Sequence, residues 1–455
     1  MTKQSVVRAV RPEGKGGRLL ALTVWHPPVP SKGRQLRVAL WAMALVMTLG
    51  LAPAGGTDAV PPAAAAPGLP IQLNQAPPAD PSAKDKSDAK PSDWFAAWQK
   101  AKKDLEESTG TSFALTLDNH SQFILSGRGE GHERNLFWWS LTVTQKLWPN
   151  AKLIARIRGS SNAHGQDDAP PHGIGPLISP KINLDSLWSE TEFLYVANLY
   201  LEQKLLDNKL LIAVGKIKED VYFDNNDVAT ADFFSYSLAK NLAIPHKSHT
   251  IGAVVRYDIT DWVYVQAGVI DAQGIRSETG LDTAFHGEDY FLSLYEVGFK
   301  TKFWGKKGNW RFDLWNDSSH LSRYDRSGTE SNTLGFGVSF DQMITDKIGA
   351  FFRYGVTDGD VRTFSNTWSI GGTAKGLLPG REKDVLGFGF VQGITDGSYR
   401  ARYNATASES LFEVYYKIQV TDWCSICPDL QVLLNPGTRN EDVAVVAGIR
   451  VKLDF

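Results

Sequence analysis

The sequence predicts an all-β fold: a transmembrane up-and-down antiparallel β-barrel of about sixteen strands, preceded by a short amphipathic helix. Three observations support this prediction. Strand-like segments alternate apolar and polar residues with period two, and long and short connections between them take turns. The longest apolar run, residues 38–52, is too short for a membrane-spanning helix. A β-sandwich or propeller has no reason to sort its connections in this way.

The N-terminal region has the order of a secretory signal peptide. The apolar run follows Arg34 and Arg37 and ends at Ala52-Pro53-Ala54, so we assign residues 1–54 to a signal peptide with an unusually long basic segment. A cytoplasmic extension is the alternative. These residues carry eight Lys and Arg against one Glu, a net charge of +7. The whole chain has a net charge of −2, so the residues after the signal peptide carry −9. An acidic exported product argues against nucleic acid as a partner.

Two short segments separate the signal peptide from the first strand. Residues 55–92 are rich in Pro and Ala and are expected to form a disordered spacer, because they cannot bury a core. Residues 93–110 predict a helix with Trp94, Trp98 and Leu105 on one stripe. This helix could pack against its own domain or bind a periplasmic partner, and the sequence leaves both open.

Residues 111–455 predict the barrel itself. The sixteen expected strands are 112–125, 134–147, 151–159, 190–205, 209–217, 247–258, 262–272, 289–303, 308–316, 331–341, 347–356, 366–376, 383–394, 408–420, 427–434 and 443–455. The connections after odd-numbered strands are mostly long and polar, as at 160–189 and 218–246, whereas those after even-numbered strands are short turns. Long outer loops, short periplasmic turns and an even number of strands are required by a barrel with both termini in the periplasm.

The last strand shows the alternation most clearly. Val445, Ala447, Ile449 and Val451 lie on one face and Arg450 on the other, as expected for a wall between lipid and water. The sequence ends on Phe455, and a terminal aromatic residue is typical of outer-membrane barrels, where it lies at the lipid interface. We therefore expect the protein to contact outer-membrane lipid and to be recognised by the barrel-assembly machinery through Phe455.

Charged residues recur on the inner face, which predicts a wet lumen. The inward-facing candidates combine five cations with four acids: Arg156, Arg158, Arg256, Arg353 and Arg450 against Asp258, Glu296, Asp313 and Glu413. Mixed signs suit a neutral solute rich in hydroxyl groups. Alternatively, these arginines balance carboxylates in the wall without narrowing the path.

The loop from Lys218 to His246 is the expected constriction. It combines aromatic residues with the acidic and amide cluster Asp224-Asn225-Asn226-Asp227. Because so many aromatic side chains would be unfavourable in water, we expect the loop to fold back into the barrel. A lid on the surface is the alternative.

Two stretches resemble the carbohydrate-selective porin family of the OprB type. The residues that carry the resemblance are Gly215-Lys216, Phe223-Asp224-Asn225-Asn226, Ala231, Phe233, Asn241, Ile244-Pro245, Glu409, Glu413, Tyr415, Pro428-Asp429-Leu430-Gln431, Asn435-Pro436-Gly437, Gly448-Ile449-Arg450 and Phe455. The resemblance covers about residues 93–455. It implies a sixteen-stranded outer-membrane channel that passes glucose and related sugars passively, and it adds Lys216 to the pore-lining candidates. The spacer and the cysteine pair depart from the family.

The sequence offers little for catalysis or for binding a cofactor. Nucleophile-elbow, zinc-protease and phosphate-loop motifs are absent, so we expect neither an enzyme nor a cofactor. His246 and His249 lack the further ligands that a metal site needs. Cys424 and Cys427 are expected to form a local disulfide in a turn, since the protein is exported. A porin for another solute such as an anion, and less so a barrel enzyme, remain alternatives, as do monomer and homotrimer.

Overall fold

A computed structural model describes residues 91–162, 174–185, 194–285, 287–441 and 443–455. The predicted signal peptide and nearly all of the predicted spacer lie outside these residues. The chain divides into two compact units, Met1–Gln99 and Lys100–Phe455. Helix α1 (Pro91–Thr109) begins in the first unit and ends in the second, at Gly110, whose φ of 71° is the left-handed conformation common after a helix. None of the described helices has the length and hydropathy needed to cross a bilayer.

Within the described residues, sixteen strands close into one antiparallel barrel, which confirms the predicted fold. The strands of the barrel are β1 (Thr111–Ser126), β2 (Glu133–Trp148), β3 (Ala151–Asn162), β4 (Tyr195–Leu205), β5 (Leu210–Ile217), β6 (Thr250–Asp258), β7 (Val263–Asp271), β8 (Phe291–Phe303), β9 (Lys306–Asp317), β12 (Thr333–Met343), β13 (Ile348–Val356), β14 (Phe364–Lys375), β15 (Val385–Thr395), β16 (Ser408–Thr421), β17 (Cys424–Leu434) and β18 (Ala444–Asp454).

The remaining elements lie in the long connections. A small hairpin, β10 (Leu321–Ser322) and β11 (Thr329–Glu330), stands between β9 and β12. Three short helices are α2 (Gly175–Ile178), α3 (Tyr236–Ala239) and α4 (Gly397–Tyr403). Long and short connections take turns as predicted, except that the turn at 376–384 is longer than the outer loop at 357–363.

Strands β1 and β18 close the barrel in register from Thr116 opposite Asp454 to Phe123 opposite Ala447. The terminal residue extends this pairing: the Phe455 N–H donates to the Leu115 carbonyl (2.8 Å), and the Leu115 N–H donates to the Phe455 carbonyl (3.2 Å). Because closure leaves no strand edge, every strand of the wall has partners for its backbone on both sides.

The two faces of the wall differ as the sequence predicted. On β18, Ile449 and Val451 point outward and are 41% and 36% exposed, whereas Arg450 between them points inward and is buried. Apolar side chains on the outer face match a lipid environment. The inner face is covered largely by the loop between β5 and β6, residues 218–249, named L3 here, and by residues 174–185 of the loop between β3 and β4, named the L2 segment.

Apolar packing holds these two loops inside the barrel. Phe233 and Phe234 of L3 are fully buried in a cluster with Ile178 and Ile182 of the L2 segment and with inward side chains of the wall. Glycine at position 448 permits this close packing, because a Cβ there would lie only 2.9 Å from the ring of Phe234. The barrel interior is therefore a packed core as well as a candidate path for solutes.

Candidate solute channel

Asp224 fastens the first half of L3 to the wall. Its backbone N–H donates to Oε2 of Glu296 on β8 (3.3 Å), and its Oδ1 lies 3.2 Å from Nε of Arg353 on β13. Oδ2 of the same carboxylate accepts the Asn241 N–H (2.5 Å), which joins the two halves of the loop. Through its backbone and its carboxylate, Asp224 therefore connects β8, β13 and the other half of the loop.

Glu413 and Arg450 fasten the second half of L3. Glu413 on β16 accepts the N–H groups of Phe234 (2.7 Å) and Ser235 (3.0 Å). The Arg450 guanidinium on β18 donates to both oxygens of Asp118 on β1 and to the carbonyl of Ala231 (2.5 Å). L3 thus folds into the barrel, as expected. Its contacts with the inner wall extend along the order of strands from β8 to β1.

The predicted acidic and amide cluster of L3 divides into two kinds of residue. Asp224 is buried, and Asn226 is half-buried with its Nδ2 near Ser339 Oγ (3.2 Å) and its Oδ1 accepting the Val228 N–H (3.0 Å). Asn225 and Asp227 are exposed, and Asp227 lies 3.2 Å from the Lys307 ammonium. Asp224 and Asn226 therefore act as anchors of the loop rather than as open partners for a solute.

The next part of the wall is formed by β2, β3 and β4, and Tyr222 of L3 donates from its hydroxyl to Oε2 of Glu202 on β4 (2.7 Å). Arg156 and Arg158 project inward from β3 and are half-buried. The Arg156 Nε donates to Ser140 Oγ (2.8 Å), and the Arg158 guanidinium lies 4.6 Å from the ring centre of Trp138. This face therefore presents two cations and an aromatic ring to the lumen.

Two side chains on this face, one on each side of β3, carry polar atoms without a protein partner among the described residues. Asn198 on β4 stands directly opposite Arg156 in register and is 2% exposed. Among the described residues, neither Oδ1 nor Nδ2 of Asn198 has a hydrogen-bond partner, and the same holds for Nε1 of Trp138. Buried polar groups without partners are rare and indicate a place for water or a ligand.

L3 contributes a compact ionic group to the lumen. The Lys218 ammonium donates to Oδ2 of Asp220 (2.6 Å) and to the Tyr236 hydroxyl (3.0 Å), and the same hydroxyl donates to Asp220 (3.1 Å). The side chains of Lys218 and Asp220 are each 19% exposed, so water still reaches the pair. Burial opposes the charge of Asp220, but the ammonium groups of Lys218 and Lys240 outweigh it and hold the pKa of this carboxyl well below its usual range.

His249, at the end of L3, shows that this ionic group and the β3 arginines share one region. Burial lowers the pKa of His249 well below its usual value, and the positive charges of Lys218, Arg158 and Arg156 lower it further, against the effect of Asp220. The imidazole is therefore neutral at pH 7. Trp138, Asn198, Lys218 and His249 are not among the pore residues expected from the sequence. For Trp138 on β2, the alternation with Leu136 and Ser140 would have indicated the inner face.

Arg256 lies apart from this region, near the periplasmic end of β6. Its Nη2 donates to Oδ1 of Asp258 (3.0 Å), and its guanidinium lies 3.6 Å from the ring centre of Tyr264. It is half-buried on the inner face, as predicted, but its partners are in the wall itself. Arg256 therefore fits the alternative in which an arginine balances wall carboxylates.

The prediction that Lys216 lines the pore is wrong. In register, Lys216 pairs with Leu199 and Ile251, which share the outer face of the wall. Its ammonium donates to the carbonyls of Arg276 (2.8 Å) and Glu278, in the outer loop between β7 and β8. This loop covers the lysine from outside the barrel.

The predicted disulfide is also wrong, because Cys424 and Cys427 are both free thiols on β17. They are three residues apart on a strand, so their side chains point to opposite faces. Cys427 is buried inside the barrel, whereas Cys424 lies on the outer face with Ile426. The described residues contain no group of three or more His, Cys, Asp or Glu side chains that could hold a metal ion.

A closed wall that is apolar outside, polar inside and partly filled by an inward loop defines a porin-type β-barrel of the outer membrane. Residues 124–455 match the family described as carbohydrate-selective porin, OprB family. The chain belongs to this family.

Individual relatives are distant. Porin AaxA of Chlamydia abortus is 21% identical over 271 residues, which cover 56% of each chain, so the alignment spans about half of that relative. Porin B of Pseudomonas aeruginosa is 24% identical over 334 residues, which cover 60% of this chain and 71% of Porin B. The high-pH structure of Pseudomonas putida OprB shares the fold with a TM-score of 0.69 at 20% identity, covering 79% of this chain and 97% of that one.

Proposed function

We propose that the protein is a passive channel through which sugars, such as glucose and small oligosaccharides, diffuse across the outer membrane. The path runs between L3 and the inner face of β2, β3 and β4. The observation that carries the proposal is the group of polar atoms without partners on Asn198 and Trp138, next to Arg156 and Arg158. Sugar hydroxyls can both donate to and accept from such groups.

The opposite side of the path supports the same substrate class. Lys218, Asp220 and Tyr236 offer an ammonium, a carboxylate and a hydroxyl within one hydrogen-bonded group. Together with the arginines, they would contact a neutral, hydroxyl-rich solute from two sides without a field of a single sign. The family name also supports sugars, and the family and fold point to a channel rather than an enzyme.

One observation favours a second candidate, an anion channel. Asp224 is paired with Arg353 and buried, so its charge does not offset Arg156 and Arg158. Asp220 is then left with Lys218, Arg156 and Arg158 in the same region. An excess of cations at a constriction would favour anions.

Single-channel recording in planar bilayers separates the two candidates. For a sugar channel, glucose added in steps should reduce the ion current in a saturable manner, and Arg158→Gln should weaken this block severalfold. Arg439→Gln is the matched control, because Arg439 lies in an outer loop and its side chain is 54% exposed. A current that never responds to glucose but has high anion selectivity would replace the sugar proposal with the anion channel.

A further inference from the structure

The loop between β7 and β8, residues 272–290, lies against the outside of the barrel wall and is named L4 here; all of it except residue 286 is described. Lys216 projects from the outer face of β5 and is only 5% exposed, because its ammonium donates to the L4 carbonyls of Arg276 (2.8 Å) and Glu278. A cation on the lipid face of a barrel strand is unfavourable without such partners. Lys216 therefore fastens L4 to the lipid-facing wall.

Close packing and a second polar attachment hold L4 in the same place. A Cβ at Gly280 would lie 3.0 Å from Cγ1 of Ile251 on the outer face of β6, and the φ of this glycine, 89°, is one that other residues rarely adopt. Asp271, the last residue of β7, accepts the Thr283 hydroxyl (2.6 Å) and the Gln273 N–H (2.9 Å). Both halves of L4 are therefore bound to the wall.

The contact at Ile251 places L4 at membrane depth. Ile251 precedes Tyr257 by six residues on the outer face of β6, and Tyr257 lies beside the periplasmic turn of residues 259–262. At about 3.3 Å per residue along a strand tilted by roughly 40°, Ile251 lies about 15 Å above Tyr257, within an apolar band roughly 25 Å tall. L4 therefore meets the wall in the half of the band that belongs to the outer leaflet.

L4 also exposes an unusual amount of apolar surface for an outer loop. Ile275, Leu281 and Phe285 are 47%, 59% and 73% exposed. The outer loops 318–332 and 357–363, which are described throughout, expose no large apolar side chain. Apolar side chains grouped on one exposed segment indicate contact with a partner or with a membrane.

The lipid-facing wall lies directly below the two attachments of L4. Val214 and Val269 precede Lys216 and Asp271 by two residues on the same outer faces, and both valines are exposed. The apolar side chains of L4 thus extend a surface that already contacts lipid. We propose that L4 is a membrane-inserted loop whose three exposed apolar side chains bind the acyl chains of outer-leaflet lipid. This proposal does not depend on which solute the channel passes.

Spin-label accessibility tests the position of L4 in the full chain reconstituted into liposomes. In a Cys424→Ser background, a nitroxide on Phe285→Cys should collide severalfold more with oxygen, which concentrates in lipid, than with a water-soluble nickel chelate. Val269→Cys on the outer face of β7 is the lipid reference, and Ser327→Cys, exposed in the loop between β9 and β12, is the water reference. The background protein alone measures any labelling of Cys427, which is buried.

Either of two results at position 285 would overturn the proposal. A label that matches the water reference would place L4 in solvent. A label reached by neither oxygen nor the nickel chelate would mean that protein, rather than lipid, covers this side of L4. Heat-modifiable migration establishes that each labelled variant is folded.

Proteolysis from the outer side tests whether the apolar side chains hold L4 in the membrane. Proteinase K should cleave the double variant Leu281→Ser, Phe285→Ser within residues 272–290 at least tenfold faster than the wild type. Cleavage within residues 318–332 is the internal control and should be equally fast in both proteins. Equal cleavage of L4 in the two proteins would show that lipid does not protect this loop.

Discussion

Nε of Arg353 lies 3.2 Å from Oδ1 of Asp224, and both side chains are shut off from solvent. This pair holds L3 against β13, since Arg353 also donates to the carbonyl of Leu238 (2.6 Å). Removing one partner of a buried pair leaves the other charge without compensation, at a cost of about 3–5 kcal/mol.

Arg353→Met should therefore release L3 from the wall. We expect a larger and noisier single-channel conductance and rapid proteolytic cleavage within residues 218–249, while the barrel stays closed. Asp227→Asn is the control, because Asp227 is exposed and its loss should change both measurements little. A protease-resistant L3 in the Arg353 variant would show that the bonds to Glu413 and Arg450, together with apolar packing, hold the loop without Arg353.

Asp313 and Glu296 give a prediction in which a substitution stabilises the barrel. They stand directly opposite each other on β9 and β8, and both are buried on the inner face. Two carboxylates in directly opposed positions destabilise a sheet, so Asp313→Asn should stabilise the barrel by up to about 1 kcal/mol at pH 8. The temperature at which the folded band disappears in detergent gels should rise.

Asp341 on β12 provides the contrast. Its carboxylate accepts from Nη1 of Arg311 (2.7 Å), so Asp341→Asn should lower the same transition temperature. If both substitutions lower this transition temperature, Asp313 stabilises the barrel, and repulsion between Asp313 and Glu296 does not decide its effect.

The sequence predicts the wall well and the lumen poorly, and the reason is physical. Alternation along a strand is local, so the inner positions of Arg156 and Arg450 follow from it directly. The partner of Asp224 is 129 residues away, and no local pattern connects the two. The errors at Lys216 and Cys427 have a related cause, because neither a family motif nor an oxidising compartment indicates which face of a strand a side chain occupies.

Phe455 follows the last strand and also takes part in closing the barrel. Its backbone exchanges two hydrogen bonds with Leu115, and its ring stacks on Trp423 with the ring centres 5.8 Å apart. Deleting Phe455 removes all of these contacts, so we expect slower assembly and less heat-modifiable protein in the outer membrane. Phe455→Tyr should retain them. Normal outer-membrane levels after the deletion would show that neither closure nor recognition by the assembly machinery depends on this residue.

The charge of Asp220 gives the last prediction, which concerns selectivity and its dependence on pH. Burial raises the pKa of this carboxyl, but Lys218 and Lys240 lower it more strongly, so the folded protein keeps Asp220 ionised at pH 4 as well as at pH 7. Asp220→Asn removes a negative charge from the path and should raise anion over cation permeability severalfold, measured as a reversal potential in a salt gradient. Because the group stays ionised, the difference between wild type and variant should be as large at pH 4 as at pH 7. A difference that disappears at pH 4 would mean that Asp220 titrates as an ordinary carboxyl and that Lys218 does not hold it. Asp360→Asn, in the outer loop between β13 and β14, is the control and should leave the reversal potential nearly unchanged at both pH values.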